Sequence, residues 1–331
     1  MSCKLIKEDV VKYVNEFGSP LYIFHEKEFK ENYLNLLNTM KSIYPKYNIA
    51  YSYKTNYTPK IISLVKSLGG LAEVVSEMEY KLAKRIGYDN IDIIYNGPVK
   101  GDGLFEHILN GGIANIDSLD ELKTVIEFAK LHSEVHIKLA FRANVDIEQG
   151  YISRFGLDAY EDESIKSEID EAFELVQSSN NIEVVGLHCH VGRSRSINAW
   201  KNRVRIMFKL IDRYFDKTPQ FIDFGSGMNS VMEPELANQF GGEIPTFEEY
   251  ANVVARAMNE KYGDLPFEQQ PLLLTEPGTT LISGCMSFIS KVKTIKSVKG
   301  KSYVTFDCSG GNMGDICHLK TTSNNSIFNG E

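Results

Sequence analysis

No stretch of the sequence stays apolar long enough to span a membrane, and the opening residues Met1-Ser-Cys-Lys-Leu-Ile-Lys-Glu-Asp9 alternate charge without the apolar core of a secretion signal. These absences set the expectation of a soluble, cytoplasmic chain. Positive charge is in deficit: 36 Lys and Arg against 44 Asp and Glu leave a net charge of −8, so there is no basic footprint for nucleic acid. Cysteine is sparse. The five residues Cys3, Cys189, Cys285, Cys308 and Cys317 lie far apart with no CxxC pair, which suggests reduced thiols rather than a disulfide framework. No GxGxxG turn follows the first apolar run, and this counts against an open dinucleotide-binding sheet. What is present is an ordinary globular composition, 43% hydrophobic and 24% charged over 331 residues, enough for one large barrel or two domains.

Between Asn48 and Gly278 a unit repeats: a short apolar run, polar or glycine residues, then a segment of helical period. The runs are Ile49–Tyr53, Leu71–Val75, Ile91–Tyr95, Ile113–Ile116, Val135–Phe141, Ile182–His188, Phe221–Phe224 and Leu272–Thr275. Helices are expected over Ser76–Ile86, Leu119–Leu131, Glu163–Gln177, Trp200–Phe215 and Phe247–Tyr262. Strand–helix alternation implies parallel pairing, and eight such units match a (β/α)8 barrel, with a doubly wound open sheet as the competing architecture.

In a barrel the chemistry gathers where the strands end. Lys54 closes the first run; Glu73 and Ser76 mark the second, and Asn96-Gly-Pro-Val-Lys100 follows the third. Asn115 and Asp117 end the fourth, Arg142 and Asn144 the fifth, and His188 and His190 the sixth. Gly225-Ser-Gly227 and Glu276-Pro-Gly278 end the last two. A lysine at the end of a buried strand is a costly charge unless it is partly deprotonated or covalently occupied, and a desolvated amine suits Schiff-base chemistry. Gly225 to Met228 reads as a backbone nest for an oxyanion or as a plain tight turn. Glu276 leaves apolar surroundings and wants a partner, either a protonated ring nitrogen or an arginine such as Arg142. His188-Cys-His190 invites a metal, but strand period sets Cys189 on the opposite face from the histidines. With no carboxylate nearby, no metal is expected; one imidazole suits stacking on a ring, the other a hydrogen-bonded core. An amine, a stacking group, a phosphate nest and a carboxylate for a ring nitrogen together meet the requirements for holding pyridoxal 5'-phosphate.

The chain resembles the group IV, fold-type III pyridoxal-phosphate decarboxylases, the diaminopimelate, ornithine and arginine decarboxylase family. The segments that carry the resemblance are Gly18-Ser-Pro-Leu-Tyr-Ile-Phe24, Tyr51-Ser-Tyr-Lys-Thr-Asn56, Glu73-Val-Val-Ser-Glu-Met-Glu79, Asn115-Ile-Asp-Ser118 and Arg154-Phe-Gly156. They continue with Gly186-Leu-His-Cys-His-Val-Gly192, Asp223-Phe-Gly-Ser-Gly227, Glu276-Pro-Gly278 and Asp307-Cys-Ser-Gly310. The resemblance implies an alanine-racemase-like TIM barrel over residues 24–280, with residues 1–23 and 281–331 forming part of a β-rich second domain. It implies that Lys54 carries the cofactor as a Schiff base, that His190 stacks on its ring, and that Glu276 pairs with its ring nitrogen. Gly225, Ser226, Gly227 and Gly278 would cradle the phosphate, and Arg142 and Glu73 would form an ion pair beneath the cofactor.

The sequence departs from the family pattern at Arg193, where serine is usual, at Thr279, where arginine is usual, and in the glycine triplet, here Gly-Ser-Gly. Our reading is that the arginine has moved between the two phosphate loops, which adds Arg193 and Thr279 to the expected contacts. The second domain is expected to open with the strand pair Ser287–Val298 and Ser302–Cys308, turning at Lys299-Gly300, and then to be cut short. Cys317 does not match the family's Cys-Glu-Ser-Gly-Asp-like loop, and the substrate-reading arginine-proline segment is missing around Asn312 to His318. A homodimer, or a separate subunit that supplies the missing elements, is therefore expected. The leading function is decarboxylation of a basic or dicarboxylic amino acid. The alternatives are a cofactor-binding regulatory relative without turnover and an amino-acid racemase on the same fold.

Overall fold

The computed structural model describes residues 5–147, 153–192, 195–230 and 244–313. Arg193 and Cys317 lie outside the described residues. In chain order the strands are β1 (Leu21–Phe24), β2 (Tyr47–Ser52), β3 (Leu71–Val74), β4 (Ile93–Tyr95), β5 (Ile113–Ile116), β6 (Ile137–Asn144) and β7 (Leu157–Asp158). They continue with β8 (Ile182–His188), β9 (Phe221–Asp223), β10 (Leu272–Thr275), β11 (Met286–Ile289), β12 (Val292–Val298) and β13 (Lys301–Phe306).

Strands β2, β3, β4, β5, β6, β8, β9 and β10 pair in parallel in that order, and β10 pairs back onto β2, which closes an eight-stranded barrel. The expected architecture holds, and the helices Leu119–Leu131 and Phe247–Tyr262 fall on the residues that periodicity marks. β2 is buried on both faces apart from Asn48, as a parallel strand under helices must be. Ala50, Ile94, Ala140, Val185, Phe221 and Leu274 pack into one cluster, flanked by Leu71, Ile113 and Leu272. Side chains from several strands meeting in one layer form the plug of a filled barrel.

The differences from expectation are local. β2 ends at Ser52, so Lys54 sits in a 3-10 turn, Tyr53–Thr55, just beyond the strand. β6 runs on to Asn144 and takes Arg142 into the strand. The third helix candidate, Glu163–Gln177, starts instead at Glu168, because Ser167 and Asp170 form a reciprocal capping box there. The helices Lys7–Phe17, Glu26–Lys41, Pro59–Ser67 and Gly103–Leu109 were not foreseen.

The chain divides into two compact units: residues 34–229 with 244–280 hold the barrel, and the remaining segments form the other. In that second unit the strand expected over Ser287–Val298 is two strands in different sheets. β11 pairs antiparallel with β1, Leu21 facing Ile289, whereas β12 pairs with β13 through the turn at Lys299 and Gly300. Both turn residues have positive φ, 51° and 77°, the conformation of a two-residue hairpin loop. Among the described residues no helix is long and apolar enough to cross a membrane.

Candidate functional site

One step of the two-residue strand period above the apolar layer, the chain turns polar. Ser52 follows Ala50, Glu73 follows Leu71, Asn96 follows Ile94 and Asn115 follows Ile113; Arg142, Asp223 and Glu276 stand likewise above Ala140, Phe221 and Leu274. The barrel thus closes its apolar plug with a lid of carboxylates, amides and cations at the carboxyl ends of its strands.

Glu73 is fully buried and is the first hub. Its Oε2 lies 2.9 Å from Lys54 Nζ and accepts a bond from Ser52 Oγ, while Oε1 takes Asn96 Nδ2 at 3.0 Å. Asn96 also donates to Glu276 and accepts from Asn115, which links the two carboxylates through one amide. Burial pulls the Lys54 ammonium down, but the Glu73 and Glu276 carboxylates outweigh it, and its pKa rises above the usual lysine value. Of the two readings offered for a buried lysine, partial deprotonation is not what these carboxylates favour; they hold Lys54 as an ammonium, with 40% of its side-chain surface accessible.

Glu276 is the second hub. The expected arginine partner is not Arg142; His188 Nε2 lies 3.2 Å and His190 Nδ1 3.5 Å from Glu276 Oε2. Burial alone would raise the Glu276 pKa, yet His188 above all, with Lys54, holds it well below the ordinary carboxylate value. Asp223 takes the opposite direction. Burial raises it, ionised Glu276 raises it further, and the Gly225 N–H offsets only part. Asp223 Oδ2 is buried with no hydrogen-bond partner among the described residues.

His190 titrates at about 4, because burial and then the Lys54 and Arg142 cations outweigh the pull of Glu276. The ring is neutral at pH 7, with 21% of its side chain accessible. Its Nδ1 accepts the Ser226 N–H at 3.2 Å, which leaves the proton on Nε2. The sequence argument against a metal, that no carboxylate lies near the histidines, fails: His188, His190 and Glu276 present ligand atoms within 4.8 Å of one another. What speaks against an ion is the Nδ1 lone pair of His190, already engaged by Ser226.

The Arg142–Glu73 ion pair is also corrected. Glu73 serves Lys54, and Arg142 reaches Asp117 at 3.4 Å while lying 5.0 Å from the Phe155 ring centroid. Ser76 and Ser118 turn out to be helix caps, accepting the N–H groups of Glu79 and Glu121. Lys100 is tied to Glu121 at 2.6 Å with no side-chain exposure.

Gly225 and Gly227 have positive φ, 61° and 100°, and a Cβ on them would stand 2.8 Å from Cys189 O and 2.6 Å from Val191 O. Only glycine lets the two loops close on each other there. Gly278 packs against Thr55, and Thr279 beyond it is exposed. Sequence reasoning missed Asp223 as the partner of Glu276, gave Asn96 and Asn115 only a place at the rim, and gave His188 only a hydrogen-bonded place in the core. It also missed Arg203, which is fully buried on the helix Ile197–Tyr214. The available signal was a cation on the stripe Trp200, Arg203, Val204, Met207, at core spacing.

Several features fit pyridoxal phosphate: a reachable amine beside a carboxylate, a neutral flat imidazole, an ionised Glu276 and glycines that leave room for an oxyanion. Residues 31–283 match the family described as pyridoxal-dependent decarboxylase, pyridoxal binding domain. The chain is 28% identical over 333 residues to the diaminopimelate decarboxylase of Methanocaldococcus jannaschii, covering 92% of this chain and 70% of that one. To the diaminopimelate decarboxylase of Aquifex aeolicus it is 26% identical over 306 residues, covering 88% and 66%. The crystal structure of the M. jannaschii enzyme in co-complex with L-lysine superposes with a TM-score of 0.77 at 25% identity, over 94% of this chain and 72% of that one. The chain thus spans about two thirds of the length of the curated relatives it matches. Pyridoxal phosphate is the cofactor, and the chain belongs to the pyridoxal-dependent decarboxylase family.

Proposed function

We propose that the chain forms the cofactor site of an amino-acid decarboxylase for a basic or dicarboxylic substrate, with diaminopimelate first and lysine second among the candidates. The observation that carries this reading is Glu276, a buried carboxylate held ionised by His188 and Lys54 and linked through Asn96 to the Glu73–Lys54 pair. Bound pyridoxal phosphate supplies an electron-accepting ring for the carbon that loses its carboxylate. In this reading Lys54 would hold the cofactor through its amine, and Glu73, its nearest carboxylate, positions Nζ. Glu276 would hold the cofactor's ring nitrogen in its protonated form, and Asp223, kept protonated beside it, would relieve charge repulsion. His190 offers its neutral face, and Arg142, fixed by Asp117, sets the field around Lys54. Gly225, Ser226, Gly227, Gly278 and Thr279 seat the phosphate.

The names of the relatives support decarboxylation over the regulatory and racemase readings. We further propose a cytoplasmic enzyme that works with a second chain, a homodimer before a separate subunit. Every residue of β12 and β13 is exposed, including Ile295, Tyr303 and Phe306, and a lone two-stranded hairpin is only marginally stable without a surface to cover it. The free thiols of Cys189, Cys285 and Cys308 suit a reducing compartment. The test is product analysis after incubating purified protein and cofactor with diaminopimelate, lysine, ornithine, arginine and glutamate. Carbon dioxide from a basic or dicarboxylic member supports the reading; a racemised substrate, or bound cofactor with no product, overturns it.

A further inference from the structure

Arg203 has a role that packing alone does not explain. Its guanidinium is fully buried, 4.2 Å from the Trp200 ring centroid, and donates to three backbone carbonyls: Phe224 O at 2.8 Å, Ser226 O at 2.8 Å and Val191 O at 2.9 Å. No carboxylate among the described residues lies within ion-pair distance of it, and Glu276 and Asp223 act on it only from farther away. A buried, unpaired guanidinium is unfavourable unless something anionic comes to it.

The three carbonyls belong to the two loops that meet at Gly225 and Gly227. In a trans peptide the C=O of one residue and the N–H of the next point in opposite directions. Drawing Val191 O and Ser226 O onto the guanidinium therefore turns the Gly192 and Gly227 N–H groups away from it, to the other side of the loops. Among the described residues neither N–H has an acceptor. Two unpaired donors, aimed by a fixed cation behind them, make a seat for an oxyanion.

We infer that Arg203 is a positioning residue for the phosphate ester of the cofactor, orienting the Gly192 and Gly227 N–H groups and supplying the fixed positive charge behind them. This rests on the reading of the glycine loop as the phosphate seat. It also accounts for the absence of arginine at Thr279: the charge comes from beneath the loop.

The test compares dissociation constants for pyridoxal 5'-phosphate and for pyridoxal, which lacks the phosphate, in wild type, Arg203→Met and Arg203→Lys. A residue that only stabilises the fold weakens both ligands alike, whereas Arg203 should act on their ratio. The expected result is a wild-type preference for the phosphate ester that falls at least tenfold in Arg203→Met and by less in Arg203→Lys. If Arg203→Met does not fold, Arg203→Lys decides, because it keeps the charge but cannot span three carbonyls; its ratio should fall about threefold. An unchanged ratio in a folded variant overturns the assignment of Arg203. A wild-type ratio near one, with cofactor still bound, overturns the phosphate reading of the loop itself.

Discussion

Replacing Gly278 with alanine tests how tightly the lysine turn is wedged against the end of β10. The added Cβ would stand 2.0 Å from Thr55 Oγ1, 2.8 Å from Thr55 Cβ and 3.3 Å from Ser52 Cβ. Rotating Thr55 about χ1 moves its hydroxyl aside and leaves its Cβ where it was. The remaining overlap is roughly 1 Å short of an ordinary carbon–carbon contact of about 3.5–4.0 Å, so backbone must move. Overpacking of this kind costs about 1–3 kcal/mol. The relaxation available is a separation of the Tyr53–Thr55 turn from the loop after Glu276, which draws Lys54 away from its carboxylates. Gly278→Ala should therefore lower the urea midpoint and weaken cofactor binding together. Adding Thr55→Gly removes the two closest contacts and should restore at least half the loss, with a coupling of about 1 kcal/mol or more in the double-mutant cycle. Full stability and cofactor affinity in Gly278→Ala, or no coupling to Thr55, would refute the wedge.

Borohydride reduction of the cofactor-loaded protein should place the pyridoxyl group on Lys54, and a peptide map with the label on Lys100 or Lys138 would end that assignment. Glu276→Ala should keep cofactor bound and lower turnover on the order of a hundredfold, as loss of one aligned electrostatic partner does, whereas His190→Ala should mainly raise the cofactor dissociation constant; full activity in Glu276→Ala would refute the ring-nitrogen role. Burial lowers both His107 and His190 to about 4 from an ordinary 6.5, so the unfolded chain binds their protons first and stability falls as pH drops from 6.5 toward 4. Each contributes at most roughly 3 kcal/mol over that window. His107→Gln, which lies outside the site, should show a shallower acid loss by thermal melting than wild type, and parallel curves would contradict this.

The barrel was legible because a parallel sheet covered by helices writes each strand as a short apolar run, and each run here is followed by turn chemistry. Its site was half legible. Ser76 and Ser118 share the rim with Glu73 and Asn115, and a sequence shows a polar residue after a strand in either case. Only the structure separates Ser76, a helix cap accepting from Glu79, from Glu73, aimed inward at Lys54. The partner of Glu276 was not legible. Arg142 and His188 are register neighbours on β6 and β8, and which of them reaches across to Glu276 depends on three-dimensional placement. Arg203 was hidden for another reason: it belongs to a covering helix and acts on backbone carbonyls, which carry no residue-type signal.

Burial alone would have selected a different lysine from the one proposed to carry the cofactor. Lys100 has no exposed side-chain surface, and burial draws its pKa below the ordinary lysine value despite the Glu121 carboxylate at 2.6 Å. By proton affinity it is the better nucleophile. Yet its Nζ is spent on Glu121 and on Gly97 O at 2.7 Å, beneath the loop, where no carbonyl compound can approach. Lys54 has the higher pKa and the accessible position. An amine must shed a proton before it attacks a carbonyl carbon, and the Glu73 oxygens are already occupied by Ser52 and Asn96. In the proposed role, the accessible face of Lys54 would be its route for proton loss as well as for cofactor entry. The carboxylates that hold it as an ammonium in the free protein keep it fixed at the mouth until that proton leaves. Position chooses the lysine here, and the charge around it governs when it can react.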